Sequence, residues 1–209
     1  ATGVRLEMVE PDQVLDAICD DTAAVVLTEV DYRTGRRHDL DRFTSAAHAA
    51  GAIMVWDLAH SAGAFPVALE AAGADLAVGC GYKYLNGGPG APAFLYVARR
   101  HQAEFSNPIT GWFGHSRPFA FEPGFDPAGD ISRGMVGTPP IIALSALDAA
   151  LDVFDDVDMG MVRSKSVALT DLFMDLVAER LPSLEILTPR AHFERGSQVS
   201  LRHPEGRLV

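Results

Sequence analysis

Lysine is almost missing from this sequence. Among its 209 residues lysine stands only at Lys83 and Lys165, so fifteen of the seventeen basic residues are arginine. A protein surface usually carries many lysines, because a flexible ammonium group is easily solvated. With so few, the position of each lysine becomes informative. The net charge of −11 further argues against nucleic acid or an anionic membrane surface as the main partner.

Cysteine, long apolar runs and a targeting segment are also scarce or absent. Cys19 and Cys80 form no disulfide framework and suit a reducing compartment. No apolar run approaches the roughly 18 to 20 residues that span a bilayer. The start, ATGVRLEMVEPD, lacks the charged-then-apolar layout of a signal peptide. We therefore expect a cytoplasmic protein with no nucleic-acid or membrane partner.

Both ends of the sequence differ from those of a typical complete protein. The sequence begins without methionine and closes on QVSLRHPEGRLV, an alternating strand pattern that no further element follows. A strand needs a neighbour to satisfy its backbone hydrogen bonds. We expect the chain to be a segment of a longer polypeptide; the alternative is a small protein with a plain terminus.

The first hundred residues alternate between strand and helix patterns. Ala23–Val30 and Ala52–His60 are largely apolar runs, as expected of strands buried on both faces. A helix is predicted from Leu40 to Gly51, and a short one in VALEAAG. Two more strands are predicted, at Ala74–Lys83 and Ala91–Arg99. Strand–helix–strand units with short links predict an α/β fold, a mostly parallel sheet with helices on both faces.

The second half of the sequence changes character. Residues 106–138 show no sustained period and are dense in Gly, Pro and aromatic residues. A loop of this length is usually functional or packed against a partner. Two helices follow from Pro139, and LEILTP and QVSLRH have strand patterns. We predict part of a large α/β domain over residues 1–158 and the start of a smaller α+β domain over residues 159–209.

The strongest chemical signal is the segment GCGYKYLNGGPG, residues 79–90. Lys83 follows an apolar strand, stands between Tyr82 and Tyr84 and precedes a glycine-rich turn. Strand ends in open α/β sheets are where ligands bind. Partial burial disfavours the charged ammonium and makes the neutral amine accessible, which Schiff-base formation with a carbonyl requires. A lysine that merely extends to solvent is the usual alternative, but the scarcity of lysine and the flanking glycines favour a functional one.

The segment WDLAH carries the second signal. Asp57 stands at the carboxyl end of an apolar strand, where a carboxylate needs a cationic or hydrogen-bonding partner. Capping a following turn is one explanation. Pairing with a protonated pyridine nitrogen is another, and pyridoxal phosphate enzymes use an aspartate in that way. Asp57 and Lys83 at two adjacent strand ends would present a carboxylate and an amine to one aromatic aldehyde cofactor.

The longer segment from Trp56 to Val97, followed by GWFGHS and GTPP, resembles kynureninase. This family consists of pyridoxal phosphate enzymes of fold type I in the class V aminotransferase group. The resemblance extends from about Val25 to Arg202. YKYLNGGPG and GWFGH are the segments specific to kynureninases within that group.

The resemblance implies a role for each matching residue. Lys83 matches the Schiff-base lysine, which also moves the substrate α-proton, and Asp57 matches the partner of the pyridine nitrogen. His60 matches the cofactor-contacting histidine of the DxAH motif. Tyr82 matches a phosphate-contacting tyrosine and candidate proton donor, and Thr28 a cofactor-contacting threonine. Trp112 and Thr138 match residues that, in dimers of the family, reach the cofactor phosphate of the neighbouring subunit. This match implies a homodimer.

The activity implied is hydrolysis of the Cβ–Cγ bond of kynurenine, or of a ring-hydroxylated kynurenine, to anthranilate or its hydroxylated form and alanine. Whole kynureninases are longer at both ends, where part of the cofactor pocket and the arginine for the substrate carboxylate are expected. Two alternatives remain. One is another class V enzyme, such as a β-lyase or an aminotransferase. The other is a truncated remnant that folds and dimerises without catalysis.

Overall fold

The computed structural model describes residues 3–206, in which the longer strands form one four-stranded sheet. Its strands, in spatial order and in chain order, are β1 (Ala24–Thr28), β2 (Ile53–Asp57), β3 (Leu76–Cys80) and β4 (Ala93–Val97). β1, β2 and β3 are parallel, and β4 runs antiparallel to β3. The prediction of a mostly parallel α/β sheet is confirmed.

Five α-helices lie in the described residues: α1 (Val14–Ala17), α2 (Leu40–Ala49), α3 (Arg99–Gln102), α4 (Ile141–Leu151) and α5 (Met159–Arg180). An aspartate side chain caps the start of α2 and of α5. Asp39 accepts a hydrogen bond from the backbone N–H of Arg42, and Asp158 accepts one from the backbone N–H of Gly160. None of these helices is long and apolar enough to cross a membrane.

The predicted helix in VALEAAG is wrong. This segment forms a single hydrogen-bonded turn, in which the Ala72 N–H donates to the Ala68 carbonyl oxygen. Pro66 before it and Gly73 after it leave too few residues to repay the cost of nucleating a helix.

One face of the sheet carries the core. Side chains of β1, β2 and β3 that alternate along the strands pack with the apolar side of α2. The indole Nε1 of Trp56 donates to Thr44 Oγ1 at 3.1 Å, and the Trp56 ring meets Phe43 edge-on. Removing this face from water is the main stabilising contribution to the fold. Its buried strand residues are Val25, Leu27, Met54, Trp56 and Ala77.

The opposite face of β1 and β2 is open within residues 3–206. Val26 is 71% exposed, and Ile53, Val78 and Leu95 on the same face are exposed as well. The expectation that these strands are buried on both faces is therefore wrong for the described chain. The physical reason is that α2, the helix in closest contact with the sheet, packs on the other face.

The loop between α3 and α4 contains only short 3₁₀ turns, at Trp112–Gly114, Pro118–Ala120 and Ile131–Gly134, as its lack of periodicity predicts. After α5, β5 (Glu185–Ile186) pairs antiparallel with β6 (Leu201–Arg202). The closing strand thus has a neighbour, and the expectation that it lacks one is wrong. The division into domains at residue 159 stays a prediction, and residues 1–2 and 207–209 of those domains lie outside the described residues.

Candidate active site

Three parallel strands end at the same edge of the sheet, and the polar residues predicted from sequence meet there. Thr28, the last residue of β1, is paired in register with Asp57, the last residue of β2. The Thr28 hydroxyl donates to the Val30 carbonyl oxygen at 2.9 Å and lies 3.4 Å from that of Asp57. The parallel register therefore places a hydroxyl and a carboxylate side by side.

Asp57 turns the chain at the end of β2. Its Oδ1 accepts the backbone N–H of Ala59 at 2.8 Å, so the carboxylate does act as the turn cap that sequence allowed. That bond occupies only part of the acceptor capacity of a carboxylate, and Asp57 is half-buried. Capping and cofactor binding are thus compatible at this residue.

Lys83 and His60 are in direct contact. Lys83 follows β3 in a loop held by backbone hydrogen bonds, from Gly81 N–H to the Pro92 oxygen and from Gly87 N–H to the Gly81 oxygen. Its Nζ lies 2.8 Å from Nε2 of His60, which follows β2. The structure therefore brings together the amine and the imidazole that the sequence predicted separately.

Gly63 holds these two loops together. It adopts a φ of +84°, a left-handed conformation that favours glycine. A Cβ at this position would stand only 2.5 Å from the carbonyl oxygen of Tyr84. The loop after β2 thus approaches the loop after β3 more closely than any residue with a side chain allows.

The electrostatics of the site favour a neutral histidine. Burial lowers the pKa of His60, and the positive charge of Lys83 lowers it further; the Gln198 amide and the charges of Asp57 and Asp31 act in the opposite direction without prevailing. At neutral pH the His60 imidazole therefore has one nitrogen that accepts hydrogen bonds.

Tyr82 lies beside the lysine with its ring half-exposed. The Lys83 Nζ is 5.4 Å from the centroid of this ring, within the range of a cation–π contact. Tyr82 thus belongs to the same cluster as Lys83, His60, Asp57 and Thr28, which we call the strand-end cluster.

Trp112 and Thr138 are not part of the strand-end cluster in the described chain. The Trp112 ring packs against Phe113 and Phe119, with centroids 4.6 Å and 5.6 Å away, and stays 42% exposed. Thr138 is exposed in the segment before α4. Their predicted role toward a neighbouring subunit stays a prediction.

Several polar residues near the site were not predicted from sequence. Gln198, in the segment before β6, donates its side-chain N–H to the Tyr32 carbonyl oxygen at 2.9 Å, and Glu29, directly after Thr28, is fully buried with Arg37 as its partner at 2.9 Å. Burial raises the pKa of Glu29, although the charge of Arg37 and its hydrogen bond to the Glu29 carboxylate oppose this. Gln198 carries no local motif, because tertiary packing alone brings its segment to the turn after β1. Glu29 directly follows β1, and a carboxylate after an apolar strand is the signal that could have found it.

The chain matches the Aminotransferase class-V family over residues 4–207 and belongs to that family. Among curated relatives it is 56% identical to kynureninase from Deinococcus radiodurans over 209 residues, which is 99% of this chain and 51% of that protein. It is 52% identical to kynureninase from Burkholderia mallei strain SAVP1 over 199 residues, 94% of this chain and 48% of that protein. The chain thus spans about half the length of these relatives.

Solved structures of the same fold are more distant in sequence. A cysteine desulfurase from Thermococcus onnurineus NA1 superposes with a TM-score of 0.76 at 22% identity, over 93% of this chain and 47% of that chain. A C-DES variant with glycine covalently linked to its PLP cofactor superposes with a TM-score of 0.74 at 20% identity, over 91% and 49%. These likenesses show the fold, which is that of a class V pyridoxal phosphate enzyme.

Proposed function

We propose that the strand-end cluster holds pyridoxal phosphate. The donor set fits this cofactor, because an amine, a carboxylate and a hydroxyl stand at one edge of the sheet, and because Lys83 Nζ, 2.8 Å from His60, lies in a loop beside the open strand ends. Lys83 would hold the cofactor covalently, Asp57 would pair with its ring nitrogen, and Thr28, His60 and Tyr82 would contact it. When bound, the cofactor supplies an electron sink for bonds at the substrate α-carbon.

The reaction proposed is hydrolysis of kynurenine, or of 3-hydroxykynurenine, to anthranilate or 3-hydroxyanthranilate and alanine. The identity with kynureninases, 56% across the chain, is the observation that carries this proposal. In it, the Lys83 amine takes and returns the substrate α-proton, and the adjacent Tyr82 hydroxyl donates a proton to the product. The Asp57 carboxylate would contribute by keeping positive charge on the ring nitrogen of the bound cofactor.

The direct test is release of anthranilate from kynurenine by the purified protein supplied with pyridoxal phosphate. We expect turnover by the unaltered protein, none by the Lys83→Ala variant, and an unchanged rate for Lys165→Ala, the matched control on the exposed side of α5. Cysteine-dependent or transamination activity without anthranilate release would assign the protein to another class V reaction. Cofactor uptake without any turnover would support the alternative that the chain is a truncated remnant without catalytic activity.

Trp112 and Thr138 are proposed to act on the cofactor of a second subunit in a homodimer. In favour of this, Trp112 is 42% exposed and Thr138 is exposed, and both flank a long loop that packs mainly on itself. An exposed tryptophan at a surface loop is typical of interfaces.

The same assay tests the dimer by mixing inactive variants. If Trp112 serves the partner's site, a mixture of Lys83→Ala and Trp112→Ala subunits regains activity, because one site of each mixed dimer has both residues intact. Activity that never exceeds that of the two separate variants would place Trp112 within its own subunit's site.

The two predicted domains and a cytoplasmic location are also proposals. α5 begins at Met159 and leads into the β5–β6 pair, which supports a boundary there. Cys19 is exposed and unpaired, and Cys80 is likewise unpaired, as in proteins of a reducing compartment. Limited proteolysis near residue 159 tests the boundary, and recovery of the protein from a cell fraction other than the cytoplasm would contradict the location.

A further inference from the structure

His38 holds the end of β1 by two hydrogen bonds. In the described sheet β1 is an edge strand, and alternate residues of an edge strand have no strand beside them to bond their backbone groups. The imidazole Nδ1 of His38 lies 2.9 Å from the Thr28 carbonyl oxygen, and the backbone N–H of His38 donates to the Glu29 carbonyl oxygen at 2.7 Å. One residue thus holds two successive carbonyl groups at the end of the strand.

The ring of His38 is itself fixed by α2. His38 stands directly before Asp39, the cap of that helix, and its ring meets the ring of Phe43 edge-on, with centroids 5.6 Å apart. These two positions are those of a hydrophobic staple, a contact that fixes the direction in which the chain enters a helix. His38 is only 6% exposed, so solvent scarcely competes for its ring nitrogen.

The hydrogen bond to Thr28 fixes where the His38 proton lies. A carbonyl oxygen can only accept, so Nδ1 of His38 must carry a hydrogen. Burial lowers the pKa of His38, although the bond to Thr28 and the charge of Asp31 act in the opposite direction. At neutral pH the ring is therefore neutral and carries its proton on Nδ1.

The end of β1 is part of the strand-end cluster. Thr28 supplies the hydroxyl of that cluster, and the backbone N–H of Glu29 donates to the Asp57 carbonyl oxygen at 2.9 Å. The two carbonyl groups held by His38 therefore belong to the residues that keep Thr28 and Asp57 side by side. Through His38, the helix that packs on the core face is linked to the open strand ends.

We propose that His38 is a positioning residue for the cofactor: its Nδ1–H hydrogen bond to the Thr28 carbonyl oxygen keeps the Thr28 hydroxyl in place beside Asp57. This inference rests on the proposed function, because it requires the strand-end cluster to bind pyridoxal phosphate. Without the bond, the last residue of an edge strand loses a backbone partner and is free to shift. A displacement of about 1 Å is enough to weaken the action of a positioned group severalfold or more.

The test is the affinity for pyridoxal phosphate, by absorbance titration, of two variants that separate the hydrogen bond from the ring. His38→Asn keeps an N–H close to the position of Nδ1 but loses the ring, whereas His38→Phe keeps a ring against Phe43 but cannot donate. We expect His38→Phe to bind the cofactor about tenfold more weakly, the equivalent of one lost hydrogen bond. His38→Asn should stay within about twofold of the unaltered protein.

Asp75→Asn is the control for a loss of stability alone. It alters buried hydrogen bonds at the opposite end of β3 from Lys83, so it should lower stability in urea and leave the cofactor affinity unchanged. A measurement on the unaltered, cofactor-free protein does not depend on the folding of any variant. ¹⁵N NMR of the His38 ring, at a pH where it is neutral, should show the Nδ1–H form, with its signals assigned by their loss in His38→Asn.

Four results would overturn the role of His38 alone, in a protein that does take up the cofactor. They are full affinity in His38→Phe, a loss in His38→Asn as large as that in His38→Phe, an equal loss in Asp75→Asn, and dominance of the Nε2–H form in the unaltered protein. Failure of the unaltered protein to take up pyridoxal phosphate would instead remove the proposed function, and this inference with it. The two failures are therefore distinguishable.

Discussion

Lys83 and Lys165 have the same side chain in very different surroundings. Lys165 is exposed on α5, whereas Lys83 is half-buried, with its Nζ 2.8 Å from an imidazole and 5.4 Å from the ring of Tyr82. The contrast between the two lysines gives this chain an internal control that most lysine-rich proteins lack.

Residues that adjoin strand ends could be predicted from sequence, and residues that arrive from far along the chain could not. Asp57 and Lys83 follow apolar strands, so the pattern alone places them at the edge of a sheet. Gln198 follows no such rule, because packing of separate segments decides what it contacts. The sequence therefore did not predict contacts between residues that are far apart along the chain.

Asp75 forms the most heavily hydrogen-bonded carboxylate in the described part of the chain. It precedes β3, at the opposite end of the strand from Lys83, and is almost fully buried. Burial alone would raise the pKa of Asp75, but hydrogen bonds from the Met54 N–H, His101, His48 and Arg100 outweigh it and hold that pKa well below its usual value. These bonds are between 2.5 and 2.8 Å long.

The change Asp75→Asn should lower the free energy of unfolding at pH 7 by about 2 to 4 kcal/mol, because it removes the charge that these donors share. Asp20→Asn, an exposed control, should change it by less than about 0.5 kcal/mol. Urea unfolding measures both values. If the two changes lowered the free energy of unfolding equally, the hydrogen bonds to Asp75 would contribute nothing to stability.

The pH dependence of this difference has a definite sign. Because the pKa of Asp75 is lower in the folded state, its stabilisation is present above the unfolded-state pKa of about 4 and is lost as the pH falls below it. The difference in free energy of unfolding between the unaltered protein and the Asp75→Asn variant should therefore shrink as the pH falls from about 5 to about 2.

Among the structural elements, the loops after β2 and β3 control the geometry of the site. They carry His60 and Lys83, and they touch where Gly63 meets the backbone of Tyr84. Sequence patterns located both strands but gave no sign of this contact, since a glycine in a loop has many explanations. The same limit applies to β6, whose pairing with β5 depends on the course of the chain between them.

Gly63→Ala should separate these loops. The new Cβ would stand 2.5 Å from the Tyr84 carbonyl oxygen, so the loop that carries Lys83 must move. We expect a loss of about 2 to 3 kcal/mol in the free energy of unfolding and at least about tenfold weaker uptake of pyridoxal phosphate, by urea unfolding and absorbance titration.

Gly51→Ala is the matched control for this change. Gly51 has a similar φ of +76°, but a Cβ there would meet nothing within 4 Å. This variant should lose only about 1 kcal/mol through backbone strain and keep full cofactor affinity. If both variants behave alike, strain rather than loop contact explains the effect, and the account of Gly63 is wrong.

Across the whole molecule, the segment after α5 is tied to the loops that follow β1 and β2. Arg163 donates to the carbonyl oxygens of His192, Arg195 and Gly196, and its guanidinium stands over the Phe65 ring, as does that of Arg37. Arg195 is fully buried and pairs with Asp171 of α5 at 2.5 Å. This network holds the segment after α5 near Phe65, in the loop after β2 that also carries His60, so the second half of the chain is packed against a loop of the site.

The fold class was predictable because strand and helix periods alternate clearly up to residue 99. The open face of the sheet was not, because an apolar run indicates burial without showing what provides it. Val26 and Leu95 are apolar, as buried residues usually are, but they are exposed in the described chain. Sequence thus predicted which elements form and where the chemistry lies, and tertiary packing decided which faces are covered.

The most direct test of the central claim is to find where pyridoxal phosphate attaches. The protein is incubated with the cofactor, reduced with borohydride and digested, and the labelled peptide is identified by mass spectrometry. Lys83 and Lys165 are the only lysines of the chain. We expect the reduced cofactor on Lys83 and none on Lys165. Absence of label from Lys83, or equal labelling of both lysines, would contradict it.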